Sequence, residues 1–241
     1  MEQRHEHGAA LAWRRGRQSA AAQRSAEGGP MSVVAPAGES GYWRWQAIAD
    51  PPDHRYLVPA VLEALGAPAG RSVLDVGCGN GALSAKLAAR GFTMTGIDFE
   101  PSGIALAGAA YPHITFRRHD IGAPLPSDLL GRFDAVVSTE VIEHLLLPRQ
   151  LFARAREALR PGGALVVSTP YHGYTKNLAL ALLGRFDRHW SAGSDYGHIK
   201  FFSPSTLTAL ASECGFAPVG LTRAGRIPPL AATMVLRATV R

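Results

Sequence analysis

The side chains best suited to chemistry lie in a short stretch, Glu140-Val141-Ile142-Glu143-His144. Glu140 lies three residues before Glu143 and four before His144, so one helical turn would place all three side chains on one face. Two carboxylates and an imidazole suit Mg²⁺, Mn²⁺ or Zn²⁺, and His198 is a candidate further ligand. Three interpretations are open: a metal site, a catalytic His144 acting as general base beside Glu143, and a purely structural role.

A glycine-rich turn is the second informative group. Glycines at 77, 79 and 81 follow a predicted strand, and a turn without Cβ atoms lets a ligand contact the main chain. Asp98, at the end of the next predicted strand, can accept hydrogen bonds from two ribose hydroxyls. The negative charge of Asp75, just before the turn, would repel a pyrophosphate but suits a ligand with ammonium and sulfonium groups. The pattern therefore favours a cationic nucleoside over a dinucleotide.

Strands and helices alternate along the chain from Arg55 onward, which places these groups in a fold. Strands are predicted at 73–76, 93–97, 114–116, 133–138 and 164–168. Helices are predicted at 55–65, 82–90, 150–159 and 205–214, with a further helix opened by Pro101. The last two strands, near 217–221 and 233–240, are expected to form an antiparallel hairpin. The alternation predicts an α/β fold with helices on both faces of a parallel sheet, and ligand sites at the carboxyl ends of the strands.

Composition excludes several classes of protein. The 241 residues contain no apolar run of the ~18–20 residues that a membrane span requires. Cys78 and Cys214, the two cysteines, cannot form a disulfide framework, which favours a reducing cytoplasm. The net charge of +6 comes from arginine rather than lysine. Because a G+C-biased coding sequence explains that arginine, nucleic-acid binding is disfavoured. Residues 1–40 are predicted to be a disordered or mis-annotated tail, and residues 41–241 one folded domain.

From Arg55 to Val240 the sequence resembles the class I S-adenosylmethionine-dependent methyltransferases. Five motifs stand in the order and spacing of that family: the glycine turn, Gly96–Asp98, Arg118–Ile121, Phe133–Val137 and Leu159–Leu165. The resemblance implies a Rossmann-like sheet of seven mostly parallel strands with an antiparallel last strand. It also implies S-adenosyl-L-methionine as cofactor, bound by Arg55, Asp75, Gly77, Cys78, Gly79, Gly81, Asp98, Phe99, Asp120, Ile121 and Thr139.

The Glu-x-x-Glu-His pattern is similar to that of the ubiquinone-biosynthesis O-methyltransferases, and also to that of small-RNA 2′-O-methyltransferases. The first resemblance implies O-methylation of a small aromatic or prenylated hydroxyl acceptor, with assistance by Mg²⁺ or Zn²⁺ left open. RNA 2′-O-methylation, and N- or C-methylation of another small molecule, are the alternatives. The apolar stretch within residues 178–190 implies peripheral contact at the inner membrane surface, a cap over an apolar substrate, or a helix packed on the core.

Overall fold

A seven-stranded sheet forms the centre of the computed structural model, which describes residues 45–48, 50–186 and 197–241. Its strands are β1 (Ser72–Val76), β2 (Thr93–Asp98), β3 (Thr115–Arg118), β4 (Phe133–Thr139), β5 (Leu159–Pro170), β6 (Phe216–Ala224) and β7 (Thr233–Val240). They lie in the order β3-β2-β1-β4-β5-β7-β6. β7 is antiparallel to both of its neighbours, and the other pairs are parallel. The predicted Rossmann-like sheet and its terminal hairpin are confirmed.

Helices cover both faces of this sheet. The described residues form α1 (His54–Leu65), α2 (Ala82–Ala88), α3 (Pro101–Ala110), α4 (Arg149–Ala158), α5 (Tyr174–Leu182) and α6 (Pro204–Glu213). Neighbouring residues of a strand point to opposite faces. Leu74 therefore lies in the core cluster that contains Phe152 of α4 and Leu207 of α6. Val73 lies in the second cluster, with Leu57 of α1 and Leu83 of α2.

Local sequence signals determine where α1 ends and where α3 and α6 begin. α1 ends at Gly66, whose φ of +77° is a left-handed value that glycine adopts without a steric penalty. α3 begins at Pro101, a position that needs no N–H donor, and the Glu100 side chain accepts a hydrogen bond from the Gly103 N–H at 2.9 Å. α6 begins with a capping box between Ser203 and Thr206.

The main departure from the predicted elements is β5, which spans twelve residues instead of the five expected at 164–168. Leu159 already pairs with Phe133 of β4, and the register shifts between Phe133 and Ala135. Gly162 adopts a φ of +77°. The Pro-Gly-Gly segment therefore forms an irregularity within the strand and does not end it. α2 is shorter than predicted and ends at Ala88.

Two predicted segments lie wholly or partly outside the described residues. The tail at 1–40 is one, so its predicted disorder stays a prediction. The other is the apolar stretch at 178–190, of which residues 178–186 are described and lie in or just after α5. Within the described ranges, no helix is both long enough and apolar enough to cross a membrane.

Candidate active site

The glycine turn between β1 and α2 depends both on left-handed backbone angles and on side chains that pack closely against it. Gly77, Gly79 and Gly81 all have left-handed φ angles, of +81°, +52° and +78°. A Cβ at Gly77 would collide with the Val141 side chain, and one at Gly81 would lie 2.7 Å from Cζ of Phe116. Conformation and space together therefore require glycine at these two positions. The Val141 and Phe116 side chains occupy the space that a Cβ would take at these two positions.

Asp98 links the end of β2 to this turn. Its Oδ2 accepts a hydrogen bond from the Gly79 N–H at 2.8 Å, and its Oδ1 accepts one from the Glu100 N–H at 2.9 Å. Burial raises the pKa of this carboxyl, while the two amide hydrogen bonds oppose that shift. The carboxylate is thus fixed in position with lone pairs left for hydroxyl donors.

Asp75 supplies a second carboxylate beneath the turn. Ser84 Oγ donates to its Oδ2 at 2.6 Å, whereas its buried Oδ1 has no hydrogen-bond partner among the described residues. Burial raises the pKa of Asp75 to about 7, and the nearby charge of Asp98 adds to the effect. A buried oxygen without a donor is costly unless a ligand satisfies it. The unpaired oxygen therefore fits a hydrogen-bond donor of a bound ligand.

The other predicted cofactor residues occupy different environments. Cys78 is buried, with burial raising the pKa of its thiol well above the usual value, so the side chain is a neutral packing group. Phe99 is 41% exposed just after β2. Asp120 is exposed and accepts a hydrogen bond from the Gly122 N–H, and Ile121 packs against the core.

The last two predicted cofactor-binding residues lie on different elements. Thr139 is half-buried at the last position of β4, and Arg55 is exposed in the first turn of α1. The contacts of both with a cofactor stay predictions.

Trp45 contacts the glycine turn, and sequence reasoning missed this contact. If Gly79 carried a Cβ, that atom would lie 2.5 Å from Cζ2 of the Trp45 indole. The indole also lies close to Gly103 in the first turn of α3, and the Trp45 main-chain N–H donates to Ser102 Oγ at 3.0 Å. Trp45 precedes the first predicted element, so periodicity gave no signal. The available signal was an aromatic cluster, Tyr42-Trp43-Arg44-Trp45, at the start of the domain.

A second group of polar side chains follows β4. A single 3₁₀ turn, Ile142–His144, carries Glu143, which is fully buried. Thr169 Oγ1 donates to Glu143 Oε2 at 2.9 Å, while Oε1 lies 4.0 Å from His198 Nε2 and accepts no hydrogen bond within the described ranges. Burial raises the pKa of Glu143 well above its usual value, and Glu140 adds to the shift. One ligand atom from each of Glu143, His144 and His198 lies within 4.8 Å of the others.

Main-chain hydrogen bonds bring His198 to this turn from a distant part of the sequence. The N–H groups of Ile199 and Lys200 both donate to the Glu143 carbonyl oxygen, each at 3.0 Å. His144 Nδ1 lies 3.3 Å from the Gly197 carbonyl oxygen, and the two histidine rings meet edge-on with centroids 4.8 Å apart. The segment after residue 196 is therefore held against the Glu143 turn.

Glu140 lies apart from these three residues. Its φ of +53° is left-handed, and its Oε1 accepts hydrogen bonds from Ser168 Oγ and Thr233 Oγ1, each at 2.7 Å. The predicted common helical face does not form, because the chain makes a left-handed residue and then a tight 3₁₀ turn instead of α-helix. Of the four predicted metal ligands, the structure brings three together and places the Glu140 carboxylate on two hydroxyl groups.

Comparison with known proteins shows the family. The profile of a family described as "Methyltransferase domain" matches residues 43–221. The chain belongs to the S-adenosylmethionine-dependent methyltransferases. A relative from Cereibacter sphaeroides, named ubiquinone biosynthesis O-methyltransferase, is 32% identical over 177 residues, which cover 72% of this chain and 69% of that protein.

Solved structures share the fold of this methyltransferase. One from Mesorhizobium loti, described as an S-adenosylmethionine-dependent methyltransferase, has a TM-score of 0.60 at 23% identity, covering 75% of this chain and 96% of its own. Magnesium protoporphyrin IX methyltransferase from Synechocystis, solved with bound S-adenosylhomocysteine, has a TM-score of 0.57 at 18% identity, covering 77% and 80%. At these identities the likeness is one of fold alone.

The methyltransferase has further buried polar groups beyond the end of β5. His172 is buried and its ring meets that of Phe201 edge-on, with centroids 5.0 Å apart. Lys176 of α5 is also buried and donates to the Tyr171 carbonyl oxygen at 2.8 Å. Burial lowers the pKa of this lysine to about 8. These groups follow the strand next to β4, so they are candidates for the acceptor side of the cleft.

Proposed function

We propose that this methyltransferase transfers the methyl group of S-adenosyl-L-methionine to a hydroxyl group of a small aromatic or prenylated acceptor. The observation that carries the proposal is the grouping of Glu143 and His144 with the distant His198. Glu143 and His144 follow β4, the strand adjacent to β1 and its glycine turn. A hydroxyl acceptor must lose a proton, and this group provides basic side chains for that purpose. The name of the Cereibacter sphaeroides relative supports the same acceptor chemistry.

On the cofactor side, each residue has a distinct task. The Gly77–Gly81 turn offers main-chain contact to the methionine part, and Asp98 accepts hydrogen bonds from the ribose hydroxyls. Asp75, which has a buried oxygen without a donor, offsets the positive charge of the ligand. Phe99, Asp120 and Ile121 are proposed to hold the adenine. The sulfonium of the bound cofactor makes the methyl group reactive, so alignment is the main requirement left to the protein.

On the acceptor side, His144 is proposed to take the hydroxyl proton. Its ring is positioned by the Gly197 carbonyl and by the His198 ring. Thr169 fixes Glu143 by donating to Oε2, so that Oε1 faces His198. An ionised Glu143 in this position would stabilise positive charge on the His198 ring, which meets the His144 ring edge-on.

The same three residues fit a divalent metal. They offer one carboxylate oxygen and two imidazole nitrogens within 4.8 Å of one another, and the buried Glu143 Oε1 accepts no hydrogen bond from the described residues. Glu143, His144 and His198 would hold such an ion, and when bound it would lower the pKa of the acceptor hydroxyl. Metal assistance and a metal-free His144 base make different predictions for chelator treatment.

The deciding experiment supplies the full chain with S-adenosylmethionine and a panel of catechols and phenols, with and without a prenyl tail, and identifies the products by mass spectrometry and NMR. We expect a methyl ether. His144→Ala should abolish its formation while S-adenosylhomocysteine still binds, and His113→Ala, at an exposed histidine, should leave it intact. Loss of activity with EDTA, restored by Mg²⁺ or Zn²⁺, supports the metal. Methylation at nitrogen or carbon, or full activity in His144→Ala, contradicts the proposal.

A further inference from the structure

Trp45 occupies a gap between two glycines of different elements. Its Cζ2 would lie 2.5 Å from a Cβ at Gly79, and its Cδ1 would lie 2.8 Å from a Cβ at Gly103. Gly79 belongs to the turn after β1, and Gly103 belongs to the first turn of α3. The indole is therefore in direct contact with the main chain of the glycine turn, on the side that faces α3.

Gly103 is a residue whose lack of a side chain makes room for the contact between the indole and the glycine turn. A glycine within a helix is less favourable than an alanine there, so its presence needs a reason. At Gly103 a methyl group would lie 2.7 Å from the Gly79 carbonyl oxygen as well as against the indole, so the space is taken. At Gly108 of the same helix, a Cβ would have no neighbour among the described residues within 4 Å. An alanine at Gly103 would therefore displace the indole, the Gly79 main chain or both, whereas an alanine at Gly108 would change helix propensity alone.

A chain of hydrogen bonds connects Trp45 to Asp98. The Trp45 N–H donates to Ser102 Oγ, and Ser102 Oγ donates to the Glu100 carboxylate. The Glu100 N–H in turn donates to Asp98 Oδ1, while Asp98 Oδ2 accepts from the Gly79 N–H. The segment that carries the indole is consequently fixed to the same carboxylate that is proposed to bind ribose.

We propose that Trp45 is a further cofactor-binding residue, whose indole forms a wall of the site against the adenosyl part of S-adenosylmethionine; this rests on the proposed function. The indole is half-buried and adjoins Gly79, the turn residue whose N–H donates to Asp98. Aromatic rings bury a large apolar area, which strengthens binding of a ligand that stacks on them. The wall contributes to cofactor affinity and is independent of which acceptor is methylated.

The test measures binding of S-adenosylhomocysteine and of methylthioadenosine, which lacks the amino-acid part, by calorimetry. Trp45→Ala should weaken both ligands about tenfold or more, and Trp45→Phe should restore most of the affinity. Gly103→Ala should resemble Trp45→Ala, whereas Gly108→Ala, and Gln46→Ala at an exposed neighbour, should bind like the parent protein. Thermal melting of each variant checks that the fold is retained.

Tryptophan fluorescence gives a second, independent signal. The emission of the parent protein should change when S-adenosylhomocysteine binds, and Trp45→Phe should lose that change while the other three tryptophans remain. Unchanged affinity in Trp45→Ala would overturn the proposal. So would a loss confined to S-adenosylhomocysteine, or a fluorescence change that survives in Trp45→Phe. Failure of the parent protein to bind either ligand would instead refute the proposed function.

Discussion

Asp98 Oδ2 accepts a hydrogen bond from the Gly79 N–H at 2.8 Å, so the end of β2 is tied directly to the turn that follows β1. The two strands are adjacent and parallel, with Val76 beside Ile97. Their carboxyl ends therefore place a fixed carboxylate next to the main chain of the glycine turn. This relationship sets the distance between the proposed ribose and methionine parts of the cofactor site.

Replacement of Asp98 should damage cofactor binding more than folding. Asp98→Ala removes the acceptor for the ribose hydroxyls and the anchor of Gly79, and hydrogen bonds to a charged group are worth about 1.5–3 kcal/mol each. We expect S-adenosylhomocysteine to bind at least about tenfold more weakly by calorimetry. Asp128→Ala, at an exposed carboxylate paired with Arg117, is the control. Equal affinity in Asp98→Ala and the parent protein would refute the role of Asp98.

Asp75 makes stability and cofactor binding depend on pH in opposite directions. Its folded-state pKa of about 7 exceeds the ordinary aspartate pKa of 3.8, so the folded state holds a proton that the unfolded state loses between about pH 4 and 7. Its contribution to stability therefore falls as pH rises through that window. Asp75→Asn removes this cost, so we expect a higher melting temperature than the parent at pH 8 and a smaller difference at pH 5.

The same substitution should weaken binding of the cationic cofactor, since the neutral amide no longer offsets its charge. In the parent protein, affinity for S-adenosylmethionine should rise as pH increases through about 7, where Asp75 ionises. In Asp75→Asn that rise should be absent. A parallel pH dependence of affinity in the two proteins would exclude Asp75 as its source.

Glu140 and Glu143 should differ in their importance for turnover. Glutamine at 140 keeps an oxygen for the Ser168 and Thr233 hydroxyls, so we expect Glu140→Gln to retain at least about a tenth of the parent kcat. Glu143→Gln replaces the carboxylate beside His198, and a drop in kcat of about 100-fold is expected with unchanged binding of S-adenosylhomocysteine. Equal losses in both variants would instead place Glu140 within the reacting group.

The apolar residues of α5 predict contact with lipid. Tyr174, Leu178 and Leu182 recur every four residues on one side of the helix, and all three are exposed, Leu182 by 78%. A helix with such a side can lie at a membrane interface. Leu178→Ser with Leu182→Ser should reduce co-sedimentation with anionic phospholipid vesicles, while Val219→Ser, at an exposed residue of β6, should not. Equal co-sedimentation of both variants would refute the contact.

Much of the fold follows from periodicity and turn residues. Gly66, Gly81 and Pro101 mark the element ends correctly, because each meets a local steric requirement. The length of β5 was missed because Pro161-Gly162-Gly163 is typical of a turn, yet strand pairing with β4 overrides that signal.

The arrangement of the candidate site is harder to predict from the sequence than the fold is. The glycine turn and its two aspartates are local features, and the structure places them together as expected. The separation of Glu140 from Glu143 depends on a left-handed residue that spacing cannot reveal. Trp45 reaches Gly79 only through the tertiary fold. His198 is a candidate ligand by its residue type, but its distance in sequence from Glu143 gives no spacing that would place it there.

A crystal structure of the full chain with S-adenosylhomocysteine would test the proposed site most directly. We expect ribose hydroxyls hydrogen-bonded to Asp98, the methionine part lying on the main chain of residues 77–81, and the sulfur directed toward His144. A ligand bound elsewhere, or a sulfur directed away from the Glu143–His144–His198 group, would contradict the proposed function.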